Sequence, residues 1–293
     1  MRTSSQTTSS PRRLLVTGGT GYLGGAVVQQ ALRQHWDVTA TAFNQPPFTR
    51  LGSAWHSVDI CDVAALCQVV EHVRPDVIIH TAFRQNDPNM WQTNARGSKQ
   101  VAIAASNVGA RLIHISSDVI FDGESERPYT EADPPNPITP YGESKADAER
   151  LVLTVHLAAV IVRTSLIYGF NPVDRHTQFI LSVADGQNDA CLFRDELRCP
   201  VYVADLAAAL LELAGNTFQG IINLAGAETV SRYELGTLLA AYHGRDPARI
   251  VGGLSSEHSV RRPRNCALDI ALAQQMLHTP LRGIRAVLAA GKP

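Results

Sequence analysis

The stretch Thr17–Gly24, TGGTGYLG, decides the predicted fold because of what stands on either side of it. Before it, Leu14–Thr17 is a short apolar run typical of a buried strand, and after it Gly21–Gln34 has apolar residues at helical spacing. A helix that starts directly after such a turn offers free N–H groups and a partial positive charge, which suit a pyrophosphate. Glycines alone also serve ordinary turns, but the strand, turn and helix together predict a Rossmann-type dinucleotide-binding turn.

Three glycines of the turn have separate expected roles. Gly18 allows the tight bend, Gly21 lets the phosphates approach the backbone, and Gly24 lets the helix pack closely on the strand. We expect the cofactor to contact this turn, the residues after the third and fourth strands, and a later tyrosine and lysine. The predicted cofactor-binding residues are Gly18, Thr20, Gly21, Tyr22, Leu23, Asp59, Ile60, Thr81, Ala82, Phe83, Tyr141 and Lys145.

Outward from the turn, strand and helix patterns alternate through the first half of the chain. Asp62 is the expected N-cap of the second helix, which Pro75 stops. Alternating strands and helices predict the α/β class, with a doubly wound parallel sheet of Rossmann type. The predicted strands are Leu14–Thr17, Val38–Phe43, Trp55–Val58, Val77–Thr81, Arg111–Ser116 and Ala159–Arg163, and the predicted helices are Gly21–Gln34, Val63–Val73, Asn94–Val108 and Tyr141–Leu153.

The alternation breaks after Ser165, and we expect a smaller C-terminal substrate-binding lobe there. Asp205–Ala214 and Ser231–His243 have helical patterns with Asp205 and Ser231 as expected N-caps, and Ile221–Leu224 is a further predicted strand. The predicted division is a disordered, Ser/Thr-rich leader at 1–11, a dinucleotide-binding domain at 12–168 to which a segment at about 200–225 returns, and a substrate-binding lobe made of 169–199 and 226–293.

Composition and charge exclude several classes of protein. With 26 basic against 27 acidic residues, the formal net charge of -1 gives no field to gather nucleic acid or a membrane surface. No apolar run approaches the length that a bilayer needs. The five cysteines lack CxxC or metal-ligand spacing and the ten histidines lack a cluster, so we expect reduced thiols, a cytoplasmic location and no metal. The expected partner is a small molecule, and a homodimer is left open.

The end of the second strand bears on the choice between NAD and NADP. An acidic residue there would bond the ribose hydroxyls and favour NAD, but the position falls near Ala42, with Phe43 and Asn44 next. No carboxylate repels a 2′-phosphate and no adjacent arginine attracts one, so NADP is preferred while NAD stays open. Asp59, after the third strand, either holds the adenine edge or caps a turn.

Tyr141 and Lys145 stand one helical turn apart, which puts their Cβ atoms about 5–6 Å from each other on one helix face. An ammonium so placed favours phenolate and is expected to lower the tyrosine pKa from about 10 toward the working range. Tyr141 could then exchange a proton with a carbonyl, while Lys145 hydrogen-bonds the nicotinamide ribose. Ser117, at the end of the fifth strand, could polarise the same carbonyl. A surface Tyr–Lys pair is the alternative, but the conjunction with Ser117 predicts a catalytic set.

Five segments, in their order along the chain, resemble the dTDP-4-dehydrorhamnose reductase group of extended short-chain dehydrogenases. They are TGGTGYLG at 17–24, HISSDVIFDG at 114–123, PYTEADPPNPITPYGESKADAE at 128–149, RTSLIYG at 163–169 and RRPRNCALD at 261–269. The regulatory subunit of methionine adenosyltransferase is a close relative in that group. The similarity runs from about Leu14 to the last helix. It implies Ser117, Tyr141 and Lys145 as the catalytic triad, and a nucleotide-linked 4-keto-6-deoxy sugar as the substrate of an NAD(P)H-dependent reductase.

Substrate contacts are expected from Ser117, Asp118, Arg198 and Arg264. Arg198 could bind a diphosphate through its guanidinium, or it could form a salt bridge between the lobes. Arg264 lies in a basic stretch whose counterpart in relatives is near the nucleotide of the substrate, and a solvated charge run is the alternative.

Two stretches depart from the pattern of the rhamnose enzyme and leave the identity of the sugar open. Thr81–Asn86 lacks its tyrosine- and acid-containing stretch, and Val119 stands where that enzyme has tyrosine. Val119 also disfavours a nucleotide-sugar 4,6-dehydratase, which resembles this scaffold but has an Asp–Glu pair after the catalytic hydroxyl. Two alternatives to a reductase remain: a cofactor-binding regulatory subunit without turnover, and a nucleotide-sugar epimerase.

Overall fold

Seven parallel strands form the central sheet of the protein, for which a computed structural model describes residues 12–43 and 53–291. The predicted leader at 1–11 and Asn44 lie outside the described residues. The strands within the described residues are β1 Arg13–Thr17, β2 Asp37–Ala42, β3 Ala54–Ser57, β4 Val77–His80, β5 Arg111–Ile115, β6 Val160–Thr164, β7 Ile167–Tyr168, β8 Leu192–Phe193, β9 Leu197–Arg198, β10 Val201–Tyr202, β11 Gly220–Leu224, β12 Val230–Ser231 and β13 Gly252–Gly253.

The strand order of the central sheet is β11-β6-β5-β4-β1-β2-β3. The chain therefore moves outward from β1 to β2 and β3, returns to β4 on the other side of β1, and continues outward from there. This reversal opens a crevice at the carboxyl ends of β1 and β4, where doubly wound sheets bind their ligands. In the register between these strands, Thr17 pairs with His80 at that edge.

Helices cover both faces of the sheet because successive residues of each strand point to opposite sides. Leu14 and Val16 belong to one hydrophobic cluster, which includes apolar residues of two helices, and Leu15 belongs to another. The prediction of a doubly wound α/β fold is confirmed. The helices are α1 Tyr22–Arg33, α2 Val63–Val73, α3 Ser98–Val108, α4 Pro140–Val155, α5 Arg175–Ala184, α6 Val203–Gly215, α7 Arg232–Tyr242, α8 Ala271–Met276 and α9 Ile284–Ala289; Gln92–Gly97 is a π-helical turn, and Asp118–Ile120, Pro247–Arg249 and Ser255–Glu257 are short 3₁₀ helices.

Two of the three expected N-caps are confirmed. The Asp62 side chain accepts a hydrogen bond from the backbone N–H of Ala65, and that of Ser231 accepts one from Glu234. The prediction for Asp205 is wrong: α6 begins at Val203, and Asp205 lies inside the first turn. Its carboxylate is drawn instead to Arg282, whose Nη2 is 2.6 Å from Asp205 Oδ1.

A third hydrophobic cluster is built from the late segments of the chain. Residues of α5, β8, α7 and α9 meet in it, among them Ile180, Leu192, Leu239 and Val287. This separate cluster supports the expected C-terminal lobe, although the division into 12–168, 169–199 and 226–293 stays a prediction. Within 12–43 and 53–291, the helices are all too short or too polar to cross a membrane.

Candidate active site

A cleft of about 310 Å³ opens at the carboxyl ends of β1 to β4. Most of the predicted cofactor-binding residues line it, together with others that sequence reasoning missed. The predicted residues present are Gly18, Thr20, Gly21, Asp59, Ile60, Thr81, Ala82 and Phe83, and the further lining residues are Thr41, Phe43, Val58, Arg84 and Thr93.

At two positions of the glycine turn, a side chain would collide with backbone atoms. Gly18 has a φ of +74°, and a Cβ there would lie 2.8 Å from the Cα of Ala82. A Cβ on Gly24 would lie 2.3 Å from the carbonyl oxygen of Gly18, so the close packing expected at that glycine is present. The N-cap residue Gly21 supplies no side-chain cap and the first turn of α1 holds no acidic residue. Its N–H groups are therefore disposed to bind an anion.

Tyr22 and Leu23 place their side chains away from the cleft. Leu23 is buried in the core, and the Tyr22 hydroxyl donates a hydrogen bond to the carbonyl oxygen of Pro172 at 3.1 Å. Burial raises the pKa of Tyr22, and the nearby Asp174 carboxylate raises it further. Any contact of these two residues with a cofactor would therefore be made by their backbone, in the first turn of α1.

The structure brings Tyr141 and Ser117 together. Thr139 caps α4 by accepting a hydrogen bond from the N–H of Gly142 at 3.1 Å, and Pro140 begins the helix, so Tyr141 stands in its first turn. Ser117 lies close enough to Tyr141 to lower the pKa of its phenol. The ring of Phe83 lies 6.1 Å from that of Tyr141, centroid to centroid, and thereby joins this pair to the cleft.

The expectation that Lys145 acidifies Tyr141 is wrong for the protein in this structure. Burial raises the pKa of Tyr141 above its usual value, and the Asp118 carboxylate raises it further. The guanidinium of Arg175 and the nearby hydroxyl of Ser117 oppose this rise without overcoming it. Tyr141 is therefore a neutral phenol at physiological pH.

Lys145 is only 3% exposed, and its Nζ donates a 2.6 Å hydrogen bond to the carbonyl oxygen of Ile115. Burial lowers the pKa of Lys145 to about 8, and the Glu149 carboxylate opposes this. His80 and His114 lie close by with their rings 5.2 Å apart. Burial lowers the pKa of both, to about 3 for His80, and the charge of Lys145 lowers them further. Two neutral imidazoles thus border the lysine.

Asp118 is buried beside Ser117 in a network of polar side chains. Ser165 donates a 2.6 Å hydrogen bond to its Oδ2, and Ser117 donates a 3.2 Å hydrogen bond to its Oδ1. Burial raises the pKa of Asp118, while the charge of Arg198 opposes the rise. The Asp118 carboxylate orients Ser117, and its negative charge disfavours a phenolate at Tyr141.

The two arginines expected to contact substrate are both engaged elsewhere in the protein. Arg198 is buried, with Nε 3.7 Å from Asp118 Oδ2, and its Nη atoms donate to the carbonyl oxygens of Leu197, Pro263 and Arg264. The ion pair joins Asp118 of the predicted dinucleotide-binding domain to Arg198 of the predicted substrate-binding lobe, as in the alternative of a salt bridge between the lobes. Arg264 is exposed, and its Nη2 lies 2.5 Å from Glu124 Oε2.

Asn94 is a buried residue of the site that sequence reasoning placed only at the start of a helix. Its Oδ1 accepts from the N–H of Arg84 at 2.8 Å, and its Nδ2 donates to the carbonyl oxygen of Arg84 at 2.9 Å. The same Nδ2 donates to the Ser144 hydroxyl at 3.0 Å. An asparagine in an Ala-rich helical stretch, where it is disfavoured, was the available signal.

The groups of this site include no metal centre. Across the parts of the chain that the structure describes, no three His, Cys, Asp or Glu side chains are arranged to hold a metal ion. The chemistry available here is hydrogen bonding and proton transfer by Ser117, Tyr141 and Lys145, beside a cleft suited to a dinucleotide.

The reversed strand order, the glycine turn and the Ser–Tyr–Lys set define a protein of the extended short-chain dehydrogenase/reductase class. Residues 12–290 match the model of the RmlD substrate binding domain, and the chain belongs to that family. It is 32% identical over 291 residues to a dTDP-4-dehydrorhamnose reductase of Mycobacterium tuberculosis, covering 94% of this chain and 91% of that protein. It is 30% identical over 293 residues to the methionine adenosyltransferase 2 subunit beta of Bos taurus, covering 92% and 85% respectively.

A solved structure with a similar fold is the dTDP-4-dehydrorhamnose reductase of Bacillus anthracis in complex with NADP. The TM-score is 0.82 at 23% sequence identity, and the alignment covers 96% of this chain and 98% of that one. At this identity the likeness concerns the fold, which it confirms over nearly the whole chain.

Proposed function

We propose that the protein is an NAD(P)H-dependent reductase that acts on the keto group of a nucleotide-linked deoxysugar, in the manner of a dTDP-4-dehydrorhamnose reductase. The observation that carries this proposal is that Tyr141 lies close to Ser117 and to Phe83 of the cleft, with Lys145 one turn further along the same helix. The match to the reductase of Mycobacterium tuberculosis along nearly the whole chain supports the same reaction.

The residues of the cleft fit a dinucleotide. Gly18 leaves room for the backbone to approach a pyrophosphate, and the uncapped start of α1 suits its negative charge. Phe43 and Phe83 are both largely exposed and line the cleft, so each offers a ring face to a planar heterocycle. The cofactor is NADP or NAD, and when bound in its reduced form it supplies a hydride to the carbonyl carbon of the substrate.

Tyr141 is the proton donor of the proposed reaction. Its raised pKa keeps the phenol protonated at neutral pH, so it can give its proton to the carbonyl oxygen as negative charge develops there. Ser117 donates a second hydrogen bond to that oxygen. Lys145 holds a positive charge one helical turn from Tyr141 below its pKa of about 8, and would hydrogen-bond the nicotinamide ribose of a bound cofactor.

The substrate-binding residues are proposed from position. Ser117 and Asp118 stand beside Tyr141 and would contact the keto sugar. Arg264 can reach a diphosphate by exchanging its exposed Glu124 partner for phosphate oxygens. Arg198 would act through Asp118, which it helps to hold in place.

A test of the function measures oxidation of NADPH and of NADH by the purified protein with dTDP-4-dehydrorhamnose and with other nucleotide-linked keto sugars. We expect turnover, and a loss of about 10²–10⁴-fold in kcat for Tyr141→Phe, because the variant keeps the ring and removes the proton donor. Tyr233→Phe, which removes a phenol on α7, is the matched control. Full activity of Tyr141→Phe would refute the mechanism.

A regulatory subunit that binds the cofactor without turnover is the second candidate, favoured by the 30% identity to the methionine adenosyltransferase subunit. The same assay decides between them, since that candidate predicts nucleotide binding with no oxidation on any keto sugar. An epimerase would convert its substrate without net oxidation of added cofactor.

Location and assembly complete the proposal. All five cysteines are free, which supports a reducing compartment such as the cytoplasm. The net charge of -1 supports a small-molecule substrate over nucleic acid or a membrane surface. A homodimer is compatible with this function and is tested by light scattering.

A further inference from the structure

Arg84 extends its side chain across the cleft to the end of β2. The centre of its guanidinium lies 5.3 Å from the centroid of the Phe43 ring, and Phe43 directly follows that strand. Arg84 lines the cleft together with Phe43 and Gly18. A cation held over an aromatic face has a defined orientation, so the guanidinium is placed at one end of the cleft and not dispersed in solvent.

The side chain of Asn94, which is fully buried, holds the backbone of Arg84 in place. Asn94 is 0% exposed and contacts both the N–H and the carbonyl oxygen of Arg84, at 2.8 Å and 2.9 Å. A two-point contact of this kind sets the position of the residue before any ligand arrives. The arginine is therefore preorganised, which lowers the entropy lost on binding.

Arg84 is the described group at this end of the cleft that can bind an anion. Among the described lining residues, Arg84 is the single cation and Asp59 the single carboxylate. Asp59 is engaged with its own turn, since its Oδ1 accepts from the N–H of Cys61 at 2.9 Å. Within residues 12–43 and 53–291, the one hydrogen bond that the Arg84 guanidinium donates runs from Nη1 to Asp87 Oδ2 at 2.6 Å. Its other guanidinium N–H groups can donate to a ligand.

In doubly wound sheets the end of the second strand is where the adenosine ribose is read, by a carboxylate for NAD or by a nearby arginine for NADP. Here β2 ends at Ala42 and Phe43 follows, and neither is a carboxylate. We propose that Arg84, reaching over from the segment after β4, binds the 2′-phosphate of the cofactor and makes the protein selective for NADP(H) over NAD(H). This inference rests on the proposed function and names the residue that decides between its two cofactors.

This arrangement is difficult to predict from the sequence because the arginine is far from the end of β2 along the chain. Arg84 follows β4, whereas the end of β2 is more than forty positions earlier, at Ala42. The two segments meet only because β1 stands between β2 and β4 in the sheet, and all three end at the same edge.

The test compares the dissociation constants of 2′,5′-ADP and 5′-AMP, measured by calorimetry on the purified full chain. These probes differ only in the 2′-phosphate and need neither substrate nor turnover. We expect the wild type to bind 2′,5′-ADP more tightly. Arg84→Gln should reduce that preference by about tenfold or more, since a hydrogen bond to a charged group is lost, while its affinity for 5′-AMP stays the same.

Two further variants make the result specific. Arg150→Gln is the matched control, because Arg150 is also bridged to an aspartate three positions away, Asp147, but lies on the exposed face of α4. It should keep the full preference. Asp87→Asn retains one acceptor oxygen for the N–H of Asn89 while it releases Arg84 from its ion pair, and we expect it to tighten binding of 2′,5′-ADP selectively.

The outcomes separate the two proposals. An unchanged preference in Arg84→Gln, or an equal loss of both nucleotides, would overturn the assignment of Arg84 and leave the reductase function in place. Binding of neither nucleotide by the wild type would instead refute the cofactor site itself.

Discussion

Lys145 Nζ and the carbonyl oxygen of Ile115 are 2.6 Å apart, so the ammonium on α4 is hydrogen-bonded to the last residue of β5. The helix that carries Tyr141 is thereby joined to the strand that precedes Ser117. This contact positions Lys145 but also buries its charge. The burial is unfavourable, because it lowers the pKa of Lys145 to about 8. The site is thus organised at some cost to the stability of the fold.

Replacing Lys145 by methionine should stabilise the folded protein. The pKa in the fold, about 8, lies below the value of 10.5 in the unfolded chain, so the unfolded state binds more protons between these pH values. The cost of the buried ammonium is full below pH 8 and disappears as pH rises through that window. After the lost hydrogen bond is subtracted, we expect Lys145→Met to add about 1–3 kcal/mol to the unfolding free energy at pH 7, and less at pH 10.

Urea unfolding at both pH values measures this effect. Lys99→Met, which changes a lysine of α3 that is not fully buried, serves as the control and should stay within about 0.5 kcal/mol of the wild type. A destabilised Lys145→Met protein at pH 7 would show that the hydrogen bond to Ile115 outweighs the burial of the charge.

Removing one member of the buried ion pair of Arg163 and Glu149 should destabilise the fold strongly. Replacing both members should destabilise it less. Arg163 Nη2 lies 3.0 Å from Glu149 Oε2, and its Nη1 also donates to the carbonyl oxygens of Glu131 and Asp133. Arg163→Met leaves an uncompensated buried carboxylate, and we expect a loss of about 3–5 kcal/mol. Adding Glu149→Leu should recover part of that loss. A single variant as stable as the wild type in thermal unfolding would contradict the expected burial penalty.

Gly18→Ala should abolish nucleotide binding. A comparison with Gly109→Ala separates the two physical causes, backbone strain and steric collision. Gly18 and Gly109 both have positive φ, +74° and +70°, but a Cβ at Gly109 would contact nothing within 4 Å. Gly109→Ala should therefore lower the unfolding free energy only by the backbone strain, about 1–2 kcal/mol, and the variant should still bind nucleotide. Gly18→Ala adds a collision with Ala82, and we expect a larger loss of stability and no measurable affinity for 5′-AMP in calorimetry. Equal behaviour of the two variants would assign the whole effect to φ.

The central sheet could be predicted from the sequence because its signals are local. Apolar runs, the glycine turn and N-caps such as Asp62 each act over a few residues, and the seven main strands follow from them to within one or two positions. Asp205 shows the limit of this reasoning. An aspartate before an apolar helix has the pattern of an N-cap, but Arg282, distant in the chain, takes up its carboxylate.

The sequence predicts which residues form the candidate site better than it predicts the pKa shifts of those residues. The spacing of Tyr141 and Lys145 correctly places both on α4, yet it does not say where the ammonium points. That direction is set by the hydrogen bond to the carbonyl of Ile115, and the pKa of Tyr141 is raised by burial and by Asp118. Asn94 and Arg84 were missed as site residues because their importance arises from a contact between two segments that follow β4.

The ion pair between Asp205 and Arg282 has a consequence for how the protein is made. Asp205 is buried in the first turn of α6, which packs on the sheet, whereas Arg282 belongs to the last part of the described chain. During synthesis the nascent sheet and α6 leave the ribosome with that carboxylate lacking its cation. The first half can collapse early, but this helix turn gains its neutralising partner only after Arg282 has been synthesised.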